Sequence, residues 1–454
     1  MKRIDIPIPN KQDPENIKKE VNEAKDNTAL LKRIKEKYNN NDNNFTKEEL
    51  IYLYDFYDEQ TADEVVECED ILRKRNEYRD LATIFDCKMD QITDNMVDLL
   101  ANSNKYVVFL GDIHMHSDVS ITFPNLRYIS GDVIYNPNSM QGTFDNIEFI
   151  GGSADFSSVE TINTLFNLKF ICCDANFESL KSAASLFSLR KIGADAIFTS
   201  LKTSVPNFGL INLESIGNDA DFASLEDASN LEKLRYVGED FNVPLLKSSK
   251  GLNNLRHIGG NANFNNLQDA SDLCELYEII GDANFNLLII SKGLEKLTTI
   301  GGDANFQSLI DASGLKNLTT ICSMAYFNNL INSKGLEKLA YIGGDAYFPR
   351  LTDATGLISL SQIDGGANFE SLSSSKGLEN LTHIKKAALF GSLIDKSGLR
   401  NYKASGKDYI KNSNDNDSFD ILESLGAMEN SEYLDDTAKK LVKQIKKLVI
   451  KWNV

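Results

Sequence analysis

One feature constrains this chain above all others: residues 217–405 are nine uninterrupted copies of a 21-residue unit, clearest in GGDANFQSLIDASGLKNLTTI, Gly301 to Ile321. A unit this short cannot bury an apolar face by itself, so the copies must stack and share one core. Numbering the unit from Gly301, position 15 is Leu in every copy (Leu231 to Leu399) and position 9 is Leu from Leu225 to Leu393. Position 18 is Leu from Leu234 to Leu381 and Tyr402 in the last copy, and position 21 is Val237 and then Ile from Ile258 to Ile384. Position 6 is Phe in eight of nine, with Val243 the exception. Ala304-Asn305-Phe306 alternates in–out–in, as a strand does. Paired glycines (Gly301-Gly302, Gly343-Gly344) suit a corner needing φ > 0 or close approach, and Gly314, Gly335 and Gly356 mark a second corner. The expected fold is mainly β, a solenoid of about fourteen such turns, roughly 65 Å long at strand spacing, with α-helical segments at both ends.

Beneath the 21-residue period lies one of 42. Position 11 is Asp in alternate copies (Asp227, Asp269, Asp311, Asp353, Asp395), and between them position 13 is Lys (Lys250, Lys292, Lys334, Lys376). Position 12 follows, Ala in the first kind (Ala228, Ala270, Ala312, Ala354) and Ser in the second (Ser249, Ser291, Ser333, Ser375). Like charges stacked at sheet spacing repel, whereas opposite charges on adjacent strands attract by a few tenths of a kcal/mol. The alternation therefore reads as a structural Asp/Lys ladder.

Ahead of the repeats, residues 1–44 begin extended and continue as a charged helix, Glu15 to Tyr38. Residues 45–105 form an acidic helical module, opened by the capping box Thr46 to Glu49 and containing one short strand in LATIFD, 81–86. Residues 45–98 carry 6 basic and 16 acidic residues, a net of −10 against the whole chain's −18. The solenoid is expected over 106–405, degenerate at first, with three extra residues in a loop around Lys202 to Pro206. A polar linker (406–417) leads to C-terminal helices (418–454). The last, about Tyr433 to Trp452, sets Leu441, Val442, Ile445, Leu448, Val449 and Trp452 on one side and six lysines around the other. Such a helix can lie on an anionic membrane, but capping the open end of the solenoid is the expectation.

No secretory leader or membrane-length apolar run is legible, and six cysteines show no framework spacing, so a cytoplasmic protein with reduced thiols is expected. The charge of −18 opposes direct nucleic-acid binding, which needs clustered Lys and Arg. The best candidate contact surface is positions 19 and 20 of the early turns: Arg127, Tyr128, Phe149, Lys169, Phe170, Arg190, Arg235, Tyr236, Arg256 and His257. Arg and aromatic residues dominate protein interfaces, and the corresponding residues of later turns are bland (Thr298, Thr299, Ser361, Gln362).

VVFLGDIHMHSD (107–118) resembles the opening motif of calcineurin-like phosphoesterases and the first motif of the PHP phosphoesterases. Either resemblance implies Asp112, His114 and His116 as metal ligands after a strand. Against it, the remaining histidines are only His257 and His383, several turns away, and no second ligand motif follows. The repeat accounts for the same residues, with Gly111 and Asp112 at positions 2 and 3. No catalytic residue, cofactor or metal is therefore expected, with His114, His116 and Asp112 kept as weak metal candidates.

GLEKLTTIGGDANF (293–306) and GLENLTHI (377–384) resemble bacterial leucine-rich-repeat proteins running L-x-x-L-x-x-I-G-G-x-A-x-F, and are similar to receptor L-domains. The resemblance implies a right-handed, leucine-rich-repeat-like β-solenoid with a binding role and no shared catalytic residue. The usual asparagine turn is absent, which favours a straighter solenoid over a horseshoe with outer helices. The lead-in 45–87 resembles modules preceding repeats in bacterial and prophage proteins. The expected function is a non-enzymatic scaffold that binds a protein partner through the solenoid's lateral face and the acidic module. The alternative is an acidic decoy of phage or mobile-element type, blocking a basic nucleic-acid-binding protein with carboxylates at position 3 (Asp219, Asp240, Asp282, Asp303, Asp345). A metal-dependent phosphoesterase is the third reading.

Overall fold

The computed structural model describes residues 3–5, 82–86, 106–115, 125–135, 139–140, 144–202, 209–403 and 409–410. A regular turn places one two-residue strand at positions 20–21, such as Thr299–Ile300, and another at positions 4–5, such as Ala304–Asn305. The glycine corner lies between them. Equivalent strands of successive turns pair in parallel and in register: Thr299 with Thr320 and Tyr341, Ala304 with Ala325 and Ala346. Two continuous sheets result, of 16 and 15 strands, each ordered as the chain is. About twelve 21-residue turns make up this parallel β-solenoid. The strands Tyr106–Leu110 and Ile113–Met115 join the same two sheets further toward the N-terminus. Ala82–Asp86, within the strand expected at 81–86, pairs in parallel with Tyr106–Leu110 and antiparallel with Arg3–Asp5. The expected helices at both ends lie outside the described residues, as does the loop at 203–208.

The apolar columns form one buried core running from Phe109 to Leu393. All the Leu at positions 9 and 15 are buried except Leu399, which with Tyr402 is partly exposed on the last turn. From Phe264 to Phe390 the position-6 rings stack with centroids 5.1–5.6 Å apart and nearly parallel planes. The Val243 exception has a packing answer. In that turn position 4, elsewhere mostly Ala, is Phe241, which is wholly buried and meets Phe222 and Phe264 edge-on. The aromatic volume has moved two residues along the same inward face of the strand, so the core stays filled.

The 42-residue period belongs to the backbone. Where position 13 is Lys, position 14 is Gly251, Gly293, Gly335 or Gly377, with φ between 92° and 101°, the left-handed region that glycine enters without steric cost. Where position 11 is Asp, the same corner closes as a 3₁₀ turn in Ser313–Leu315, Thr355–Leu357 and Ser397–Leu399. There the Asp carboxylate accepts the N–H two residues on: Ser313 to Asp311 at 2.8 Å, Thr355 to Asp353 and Ser397 to Asp395 at 2.9 Å. This is an Asx turn. The two corner types are bolted together by the serine at position 12. Ser291, Ser333 and Ser375 each donate Oγ–H to the following turn's position-11 carbonyl at 3.0 Å, and accept the N–H of Gly314, Gly356 or Gly398 at 2.9 Å. Single bridges at position 11 (Ile290 with Asp311, Asn332 with Asp353) likewise join each Lys-type turn to the Asp-type turn after it. The structural unit is a pair of turns.

This changes the meaning of the ladder. No ion pair within 4 Å joins a ladder Asp to a ladder Lys among the described residues. Asp269 is held below the usual carboxylate range first by the Ser271 hydroxyl and then by the Ser271 N–H, with Lys292 the smallest contributor. The carboxylates are capping groups, and the lysines stand on corners of the other kind.

Candidate protein-interaction face

Positions 19 and 20 lie on the outer face of the first sheet, where strand pairing aligns residues from consecutive turns. The face divides into two parts with different properties. On the early turns, Tyr128 and Phe149 stack at 4.6 Å and Phe170 follows at 6.3 Å. These three rings are only 4%, 4% and 7% exposed. The expectation that they form part of an exposed contact strip is therefore corrected: they are buried, and position 20 on these turns serves packing. The charges beside them are paired, since Glu148 takes both Arg127 and Lys169, the latter at 2.8 Å. Arg190 is half-buried.

The second part begins at Arg235. Tyr236 is 44% exposed and stacks on His257, with ring centroids 5.1 Å apart and planes within 7°. Backbone pairing of Tyr236 with His257 sets this stack. Tyr277, also 44% exposed, closes against the other side of His257 at 6.1 Å. Arg235 and Arg256 are exposed at position 19 beside these rings. His257 Nδ1 lies 3.2 Å from Glu278 Oε2, within ion-pair range but out of hydrogen-bond alignment. Below the patch, Glu275 is held low chiefly by its hydrogen bond from Lys296, and Arg256 adds a smaller pull. The result is an aromatic platform three turns wide, flanked by two guanidinium groups, on a backbone fixed by sheet hydrogen bonds. Sequence reasoning found Arg235, Tyr236, Arg256 and His257 but missed Tyr277. The signal was present, because Tyr277 occupies position 19 directly after Arg256 in the register.

The metal candidates fall into the repeat. Asp112 Oδ1 accepts the N–H of Asp132 at 2.9 Å, and Asp132 does the same for Ser153 at 2.7 Å. The position-3 carboxylates continue the pattern: Asp219 accepts from Asp240 at 2.9 Å, Asp282 from Asp303 at 2.7 Å and Asp345 from Gly366 at 2.7 Å. His114 is exposed on the strand Ile113–Met115, opposite Ile134, and His116 lies outside the described residues. Among the described residues no three His, Cys, Asp or Glu side chains come together as a metal site. No helix among them is long and apolar enough to cross a membrane.

These features define the chain as a parallel β-solenoid whose outer face carries an exposed Arg/aromatic platform. Compared with protein-family models and with curated proteins, the chain matches none.

Proposed function

We propose that this chain is a non-enzymatic interaction scaffold of leucine-rich-repeat type, working in the cytoplasm. It binds a protein partner through the lateral face of its solenoid, at Arg235, Tyr236, Arg256, His257 and Tyr277. The observation that carries this reading is the Tyr236–His257–Tyr277 cluster: His257 stacked on Tyr236 and met at a tilt by Tyr277, with both tyrosines 44% exposed. Large rigid aromatic side chains beside Arg are the composition of interface hot spots, because they bury much area for little lost side-chain entropy. The paired turns on either side keep the platform rigid, which lowers the ordering cost of association. The acidic N-terminal module is a second contact in this reading.

A photo-crosslinking residue placed at Tyr236 should capture a protein from the native host, and the same residue at Thr320, further along the face, should not. Binding of the captured partner should survive added salt and weaken at least about tenfold for Tyr236→Ala, as expected of a hot-spot aromatic. Steep salt dependence with no effect of Tyr236→Ala would instead favour the acidic-decoy reading. That reading has less to draw on, since the position-3 carboxylates already spend an oxygen on the N–H of the next turn.

A further inference from the structure

Exposed aliphatic side chains are scattered over the remaining outward surface and gather in one place. On the third side of the solenoid, position 10 is Glu226, Lys247, Gln268, Thr352 or Ser373 in five of the nine regular turns, a lone Ile394 in the last, and Ile289, Ile310 and Ile331 on three consecutive ones. Ile310 is 54% exposed, its two neighbours nearly as much, and exposed Leu287 and Ile290 widen the strip on its first turn. The backbone beneath is fixed, with Ile310 N–H donating to the Ile289 carbonyl at 2.9 Å. Contiguous apolar surface of this kind, rimmed by Asp311, Lys292 and Lys334, marks a docking site rather than chance exposure.

We infer that the occupant is this chain's own C-terminal segment, Tyr433–Trp452. Three observations converge on it. Leu441, Val442, Ile445, Leu448, Val449 and Trp452 recur at helical spacing, so a helix there carries an aliphatic face about 16 Å long that requires an apolar partner. The isoleucine strip spans two strand intervals, about 10 Å between backbones, and side chains extend it at both ends to a similar length. Residues 411–440 separate the last described strand, Tyr409–Ile410, from Leu441, and thirty residues reach up to about 100 Å. The strip lies three turns, about 15 Å, from the turn on which that strand pairs. The segment is also basic, with six Lys against two Asp, on a chain whose net charge is −18, so the rest of the molecule attracts it.

The chain contains a single tryptophan, Trp452, which makes the docked segment its own reporter. In the full chain, Trp452 emission should be blue-shifted and shielded from acrylamide, independently of protein concentration. Ile310→Asp should red-shift it and expose it to quencher, with the far-ultraviolet circular dichroism unchanged. Ile289→Thr/Ile310→Thr should act in the same direction while introducing only a residue that Thr352 already shows this position accepts. Leu399→Asp, at the open end of the solenoid, should leave the emission unaltered. A solvent-exposed Trp452 in the parent chain overturns the inference, as does emission indifferent to both strip variants. So does a response to Leu399→Asp alone, which would make the segment an end cap. Concentration-dependent shielding would assign the strip to a second copy, and shielding only with anionic vesicles would assign the segment to a lipid surface; either result overturns docking within one chain.

Discussion

The Oγ of Ser333, wholly buried, accepts the backbone N–H of Gly356 on the next turn at 2.9 Å and donates to the carbonyl of Asp353 at 3.0 Å. One hydroxyl thus satisfies two backbone groups that differ between the two corner types. Ser333→Ala leaves the buried Gly356 N–H without its partner, while the Asp353 carbonyl keeps the Ser333 N–H at 3.0 Å. That loss costs about 1–3 kcal/mol. Urea denaturation should record that loss, and hydrogen exchange should show the Gly356 amide opening sooner than the equivalent Gly314.

Gly335 sits at φ 100°, and a Cβ built on it would lie 2.0 Å from the carbonyl oxygen of Ala312 on the preceding turn. Gly335→Ala meets both a strained backbone and a clash with main chain. Its thermal stability should fall by more than the ~1 kcal/mol that the same change gains at unstrained positions. Ser313→Ala, on the other corner type, should be close to neutral.

The displaced aromatic at Phe241 supports a double-mutant test. Val243→Phe alone adds a second ring to a filled turn and should cost about 1–3 kcal/mol. Phe241→Ala alone empties it and should cost about 3–5 kcal/mol. Combined, they restore the Ala/Phe arrangement of Ala304 and Phe306, so the pair should be far less damaging than the sum of the single changes.

Asp364 is held down to about 2, first by its hydrogen bond from Lys385 and then by that from Gln362, with Tyr341 donating its hydroxyl at 2.9 Å. A carboxylate lowered on folding adds stability above its ordinary value of 3.8 and loses it as pH falls toward about 2. Tyr341 is raised, chiefly by the same hydrogen bond, so its contribution is present at neutral pH and lost as pH rises through its elevated value. Carboxyl NMR titration should find the Asp364 midpoint near 2, moving back up toward the ordinary range in Lys385→Ala.

Much of the fold was legible because a 21-residue repeat leaves one way to bury its columns. Leu231 through Leu378, Ile258 through Ile384 and the Phe column are all in the core where the pattern places them. The two-turn period was legible too, but its cause was not. Asp311 and Lys334 look like partners in a charge ladder, since composition reports charge and not φ. The backbone shows instead that Asp311 caps a 3₁₀ corner, while Gly335 beside Lys334 is left-handed.

The candidate face is less legible in the sequence. Tyr128, Phe149 and Tyr236 share one position of the repeat, yet the first two are buried and the third is 44% exposed. A register says which way a side chain points and nothing about what lies over it.

The sequence by itself determined that this chain stacks, which side chains are shared between turns, and that turns come in pairs, because each of these follows from a pattern repeated in the chain. Only the tertiary structure decided what the pairing does, which aromatic residues remain on the surface, and that Ile289, Ile310 and Ile331 form one strip. Those outcomes depend on corner conformation and on contacts between residues one turn apart, and a list of residues does not record such distances.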